Sequence, residues 1–278
     1  MILTSVLVLG GVGLAFGILI ALANKTLRVW EDPRIDTVTG MLPNANCGAC
    51  GMPGCRAFAE AAVEGKVAPA QCSVATPDVR TAIAAYLGVD AGTAQKRVAR
   101  LLCAGGTDVA VPRAEYRGLS TCAAASVVAG GGKGCAWGCL GMGDCSVSCS
   151  FGAIHMSDTG LPVVDVEKCT ACGDCVEACP KGLFTIRPLD EHLLVQCRNL
   201  IAGDDALEAC RVACTACGRC VQDAAPGLIS VASGLAVIDY ARIAEADPVA
   251  VGRCPTNAIV WLTGAQFAAE RIPAGASR

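Results

Sequence analysis

Twenty cysteines in a chain of 278 residues, gathered mostly into runs two to five residues apart, limit what this sequence can become more than any other feature. A secreted disulfide framework is the plain alternative for so many thiols, but such frameworks staple chains far shorter than this one. The tight runs, and an N-terminus that argues for a cytoplasmic location, favour metal or cluster ligation. With two histidines in the whole chain, His155 and His192, histidine-rich metal chemistry is excluded. The formal net charge of −3 does not favour a broad basic surface for nucleic acid.

Ile2 to Ala23 contain no charged side chain and only Thr4 and Ser5 as hydroxyls. As a helix these 22 positions span roughly 33 Å, enough for a bilayer core. Lys25 and Arg28 follow, which by the positive-inside rule places everything after residue 24 in the cytoplasm. Gly13, Gly17 and Ala21 form a small-residue face suited to another membrane helix. Ala21-Leu22-Ala23 mimics a signal-peptide cleavage site, but no basic residue precedes the apolar run. The expectation is a single-pass anchor in the inner membrane. One uncharged helix offers no ionisable group for an ion path.

Four cysteine constellations follow. The first is Cys47-x2-Cys50-x4-Cys55-x16-Cys72 on a Gly/Pro-rich loop. Three thiolates there can wrap one face of a cubane while the fourth arrives from the end of a short helix. Glycines let backbone N–H groups approach sulfur and raise the reduction potential. A four-cysteine zinc site is the competing reading, but this spacing does not resemble paired zinc knuckles. The second and third belong together. Cys169-x2-Cys172-x2-Cys175-x3-Cys179-Pro180 is the bacterial ferredoxin run, and Cys135-x3-Cys139-x5-Cys145-x3-Cys149 is a looser version of it. Because the fourth cysteine of each run serves the other cluster, Cys135, Cys139, Cys145 and Cys179 are expected to hold one [4Fe–4S] cluster. Cys149, Cys169, Cys172 and Cys175 are expected to hold the next. Gly160 to Asp165, between the runs, reads as a hairpin strand.

The fourth constellation opens as Cys214-x2-Cys217-x2-Cys220, but Ala224 stands where another cysteine belongs. The next is Cys254-Pro255, and the step from Cys220 to Cys254 equals that from Cys145 to Cys179, 34 residues. Gly234 to Asp239 repeats Gly160 to Asp165. The pattern predicts a ferredoxin unit that has lost one whole cluster and keeps the other on Cys214, Cys217, Cys220 and Cys254. Sixteen cysteines thus hold four [4Fe–4S] clusters. Cys103, Cys122, Cys197 and Cys210 are left unassigned. Cys103 and Cys197 each end a strand ahead of a ferredoxin unit, and Cys122 and Cys210 each lie near a helix. Buried free thiols are the favoured reading for them, with a fifth metal site or a redox-sensitive pair as alternatives.

Thr76-Pro77-Asp78 reads as a helix start and Gly88 as its end, with Val79, Ile83, Tyr86 and Leu87 on one face. Gly130-Gly-Gly-Lys-Gly134 lacks phosphate-loop spacing and reads as a flexible lead-in to Cys135. Arg198, Arg211 and Arg219 are candidates for a local basic patch, with solvated surface charge as the alternative. Both histidines read as ordinary fold residues. No candidate catalytic residue of the bond-making kind emerges.

An N-terminal membrane helix, Glu31-Asp-Pro-Arg-Ile-Asp36, the run Leu42-Pro-Asn-Ala-Asn-Cys-Gly-Ala-Cys-Gly51 and a ferredoxin module together resemble the B subunit of the Rnf complex. Cys103-Ala-Gly-Gly106, Gly118-Leu-Ser-Thr-Cys-Ala-Ala-Ala125 and the glycines before Cys135 resemble its longer members, over residues 1 to about 262. The first cysteine motif also resembles the small Fe–S domain of corrinoid iron–sulfur proteins. The Rnf resemblance implies a membrane-bound ferredoxin:NAD⁺ oxidoreductase whose redox reaction pumps Na⁺ or H⁺. It implies soluble ferredoxin, the membrane subunits and a flavin- and Fe–S-bearing subunit as partners, with membrane lipid around the anchor. The missing half of the last unit is a departure from longer relatives. The expected class is α+β. Residues 1–24 form the membrane helix and 25–90 a small helical [4Fe–4S] domain. A connecting α/β segment (91–134), a two-cluster ferredoxin domain (135–190), a one-cluster unit (191–262) and a flexible tail (263–278) follow. The rival readings are an Fe–S relay of another membrane oxidoreductase, of hydrogenase or formate dehydrogenase type, and a zinc-stabilised structural protein.

Overall fold

The computed structural model describes residues 2–26 and 31–267. Arg28, one of the two charges expected to set membrane orientation, and residues 268–278 of the expected tail lie outside the described residues. Helix α1 (Ile2–Thr26) is apolar on every face, long enough to cross a membrane, and not buried against the rest of the chain. An all-round apolar helix left without protein neighbours is out of place in water. Among the described residues, no other part of the protein comes within 4 Å of a Cβ placed on Gly13 or Gly17.

A helical domain comes next. α2 (Pro33–Met41) starts at Asp32, whose carboxylate accepts from the Arg34 backbone N–H. α3 (Cys55–Val63) packs on it through Phe58, Ala59 and Ala62 against Val38 and Leu42. α4 (Pro77–Leu87) has the predicted boundaries: the Thr76 hydroxyl accepts from the Val79 N–H, and Gly88 closes the helix at φ 69°. Ile83 enters the core and Val79 and Leu87 flank it, whereas Tyr86 is exposed.

The remainder consists of antiparallel strand pairs nested in a repeated order. β1 (Arg97–Leu101) pairs with β4 (Phe184–Pro188), enclosing the hairpin of β2 (Ile154–Met156) and β3 (Pro162–Val164). β5 (Leu193–Val195) pairs with β8 (Ile259–Trp261), enclosing the hairpin of β6 (Ile229–Ala232) and β7 (Leu235–Ile238). Both predicted hairpin strands are present. β1 lies in the segment expected to be a connection, yet its partner is in the expected ferredoxin domain. The first unit therefore begins at its outer strand and carries a long insertion, which includes α5 (Cys122–Val127). Short helices α6 (Asp144–Val147), α7 (Asp174–Ala178), α8 (Asp205–Ala209) and α9 (Arg219–Asp223) complete the two units.

The glycine run before Cys135 differs from expectation. A Cβ on Gly132 would overlap the Ala114 carbonyl, and one on Gly134 would stand 2.6 Å from the Val111 oxygen. These glycines are required by close backbone packing, not by a need for flexibility. The two units are also tied across their seam. The Gln266 side chain accepts from the Leu101 N–H (2.8 Å) and donates to the Leu101 carbonyl (2.6 Å) and to Gln196 Oε1 (3.2 Å). Arg187 of β4 lies 3.2 Å from the ring centre of Tyr240, a cation–π contact between the units.

Candidate iron–sulfur centres

The cysteines do not stay at the surface but enter the three main cores: Cys72 with α2 and α3, Cys145 and Cys175 in the first unit, Cys214 and Cys220 in the last. Three predicted quartets each surround their own cavity. Cys47, Cys50, Cys55 and Cys72 line one of about 330 Å³ of atom-free space. Cys149, Cys169, Cys172 and Cys175 line another of about 310 Å³. Cys214, Cys217, Cys220 and Cys254 line a third of about 380 Å³, where Cys217 is the one exposed cysteine among the described residues. Among the described residues no three such side chains close on the position of a single metal ion. The cysteines are spread around voids instead.

Local folding explains this placement. Gly143, Gly173 and Gly218 sit at the N-termini of α6, α7 and α9 with φ of 83°, 99° and 72°. Each turns the loop so that the first helical turn carries a cysteine inward: Cys145, Cys175 and Cys220. The Asn46 side chain accepts from the Cys55 N–H (2.9 Å) and shapes the first loop in the same way. Backbone N–H groups point at sulfur from Ala99 to Cys169 (3.5 Å), Ala153 to Cys149 (3.3 Å) and Leu183 to Cys179 (3.4 Å).

The electrostatics suit a buried anionic group. Burial, followed by neighbouring thiols, pushes Cys145 and Cys175 up to about 12, and burial pushes Cys139 to about 12 as well. For Cys145 the neighbours that matter most are Cys122 and Cys179. Such thiols ionise where a bound metal compensates the charge. Arg100 on β1 is 2% exposed, and its Nη1 donates to the Gly264 carbonyl (2.6 Å) while Nε and Nη2 have no partner. Burial lowers its pKa, and Cys169 is the negative group opposing that shift. A buried guanidinium within electrostatic reach of Cys169 offsets negative charge gathered on that quartet, and the four thiols around one pocket fit a thiolate-held cluster. Sequence reasoning missed Arg100, because a lone arginine on an apolar strand carries no pattern.

The fourth predicted quartet is divided. Cys139, Cys145 and Cys179 flank the first-unit core, but Cys135 lines a separate cavity with Cys103, Cys197 and Cys210. The arginines of the expected basic patch are largely engaged. Arg198 donates to the Gly182 carbonyl (2.8 Å) and Arg211 to that of Asp108, leaving Arg219 beside Cys217. His192 bonds the Leu262 carbonyl and stacks on Trp261, a fold role as expected.

Cysteine sets around separate pockets, on repeated hairpin units that follow an apolar helix, are the marks of an iron–sulfur protein. Comparison with known families agrees: residues 42–74 match the model of an Fe–S cluster family, and residues 135–184 match the 4Fe-4S dicluster domain. The chain is 46% identical to the B subunit of the Na⁺-translocating ferredoxin:NAD⁺ oxidoreductase complex of Acetobacterium woodii, over 93% of this chain and 77% of that protein. It is 38% identical to the B subunit of the proton-translocating ferredoxin:NAD⁺ oxidoreductase complex of Clostridium ljungdahlii, over 89% and 88%. Against the B subunit of the ion-translocating oxidoreductase complex of Methanosarcina acetivorans it is 37% identical, over 93% and 97%. The chain belongs to the family of Rnf complex B subunits, as the resemblance of its motifs implied.

Proposed function

We propose that this chain is the electron-relay subunit of a membrane-bound, ion-translocating ferredoxin:NAD⁺ oxidoreductase. Bound [4Fe–4S] clusters supply one-electron transfer; the protein's part is to hold them, bury them and set their surroundings. Cys47, Cys50, Cys55 and Cys72 hold the first, Cys149, Cys169, Cys172 and Cys175 the second, and Cys214, Cys217, Cys220 and Cys254 the third. A further cluster takes Cys139, Cys145 and Cys179, with Cys135 and Cys122 the candidates for its remaining ligand. α1 crosses the membrane once, with Lys25 on the cytoplasmic side and all clusters beyond it.

The N-terminal Fe–S domain abuts the second site: the Ser73 hydroxyl donates to the Thr170 carbonyl (2.8 Å). In the last unit Cys217 and Arg219 face solvent, where soluble ferredoxin has access. The membrane subunits and a flavin-bearing subunit are the remaining partners, and no group on α1 offers an ion path. One observation carries the reading: three cysteine quartets each lining a separate pocket of its own. The test is anaerobic purification of the full chain with metal, sulfide and EPR analysis. Brown protein with iron and labile sulfide in equal amounts, and EPR signals on dithionite reduction, is expected. Zinc in stoichiometric amount with negligible iron refutes the reading.

A further inference from the structure

Cys103, Cys197 and Cys210 belong to none of those sets, and they meet in one place. All three line a single cavity with Cys135. We propose that Cys103, Cys135, Cys197 and Cys210 hold a fifth [4Fe–4S] cluster at the seam between the two units, and that Cys122 completes the set of Cys139, Cys145 and Cys179. This rests on the reading of the chain as a [4Fe–4S] relay and assigns all twenty cysteines to five quartets.

The internal repeat supports both halves of the assignment. A step of 75 residues carries Cys139 to Cys214, Cys145 to Cys220 and Cys179 to Cys254, and the same step carries Cys135 to Cys210. Cys103 and Cys197 each stand two positions after the first outer strand of their unit, β1 and β5. The seam quartet is therefore two equivalent pairs, one from each unit. The step also carries Met142 to Cys217, so the first unit lacks one ligand in that position. Cys122 compensates. Its N–H and that of Ala123 donate to the Asp144 carboxylate (2.8 and 3.0 Å), which docks the start of α5 beside Cys145.

The surroundings are those of a ligand site. Cys103 Sγ accepts from the Cys139 N–H, and Cys197 Sγ accepts from the N–H groups of Asn199 and Cys214, all at 3.4 Å. These match the contacts made to Cys149 and Cys179. Asn199 lines the cavity, is 1% exposed, and its Nδ2 is buried with no partner, a donor that cluster sulfur would satisfy. The Cys103 and Cys210 sulfurs both lie within 4 Å of the point where a Cβ on Gly105 would stand. Lys133 and Arg198 also line the cavity and offset negative charge there. Two of the sulfur contacts come from ligands of the adjoining quartets, Cys139 on one side and Cys214 on the other, so this site joins the units.

The full-length chain, purified anaerobically, is expected to hold about 20 iron and 20 sulfide, five cubanes of four. Cys103→Ala and Cys210→Ala should each remove about four of those irons and one fifth of the Mössbauer area. Cys210→Ser covers the case in which an alanine variant fails to fold: it retains an oxygen ligand and should change one EPR component while the iron count holds. Cys135→Ala should remove the same component as Cys103→Ala, and Cys122→Ala a different one. About 16 iron in the parent chain, with Cys103→Ala and Cys210→Ser spectroscopically silent, overturns the fifth site and leaves the relay standing. Negligible iron refutes the relay itself.

Discussion

The first and last units share a strand order but fill their interiors differently. In the first, Ala153 precedes β2, lines the cavity of the Cys149 set and donates its N–H to Cys149. Seventy-five residues on, Leu228 precedes β6, is 0% exposed and lies in the core of the last unit. The backbone does not change: the Ala153 carbonyl accepts from Asp165, and the Leu228 carbonyl from Asp239, both at 2.8 Å. Cys149 and Cys175 become Ala224 and Ala250 at the same step. Where cluster ligands are gone, a larger aliphatic side chain occupies the interior. On the proposed assignment a cluster in this fold is also core material, and a unit without one needs hydrophobic volume in its place.

That comparison can be broken experimentally. Ala153→Leu should import the packing of the last unit into the first and remove about four irons, those of the Cys149 set, measured by iron content and EPR. Full iron content would show that Leu228 is no substitute for a cluster. Cys254→Ala should also cost about four irons and in addition open the last unit, which has no second cluster within its own strands. Cys179→Ala should leave the first unit folded around the Cys149 set. Limited proteolysis with mass spectrometry separates the two, and equal protection contradicts the idea. Leu228→Ala should destabilise the last unit by about 2–5 kcal/mol in denaturant titration. Arg100→Met should move the potential of the cluster on Cys169 to more negative values by removing a buried cation, as read by EPR-monitored redox titration. Thr76→Ala, remote from both units, should cost only about 1 kcal/mol through loss of the α4 cap.

What could be read from sequence was what is encoded locally. The boundaries of α4 follow from Thr76, Pro77 and Gly88, each acting within one turn. Cys169, Cys172 and Cys175 meet because their spacing and Gly173 wrap one loop around one void. The equal steps from Cys145 to Cys179 and Cys220 to Cys254 exposed the repeat. The pairing of β1 with β4, by contrast, depends on contacts across most of a domain, and no local signal marks Arg97–Leu101 as the outer strand of the unit it joins. Cys135 reads as the opening of a ferredoxin run because a regular series of cysteines follows it along the chain. Its neighbours in space, Cys197 and Cys210, arrive from the other unit.

Gln266 holds both backbone groups of Leu101, and the Gly264 carbonyl receives Arg100, so the free edge of β1 is covered by residues near the end of the chain. During translation that edge is made early and its cover late. While the nascent chain is still on the ribosome, β1 is an uncovered edge strand, open to pairing with other strands. A truncation just short of Gly264 would leave every cysteine in place and still fail to protect the first unit, making the last residues described a guard against aggregation for one of the earliest strands.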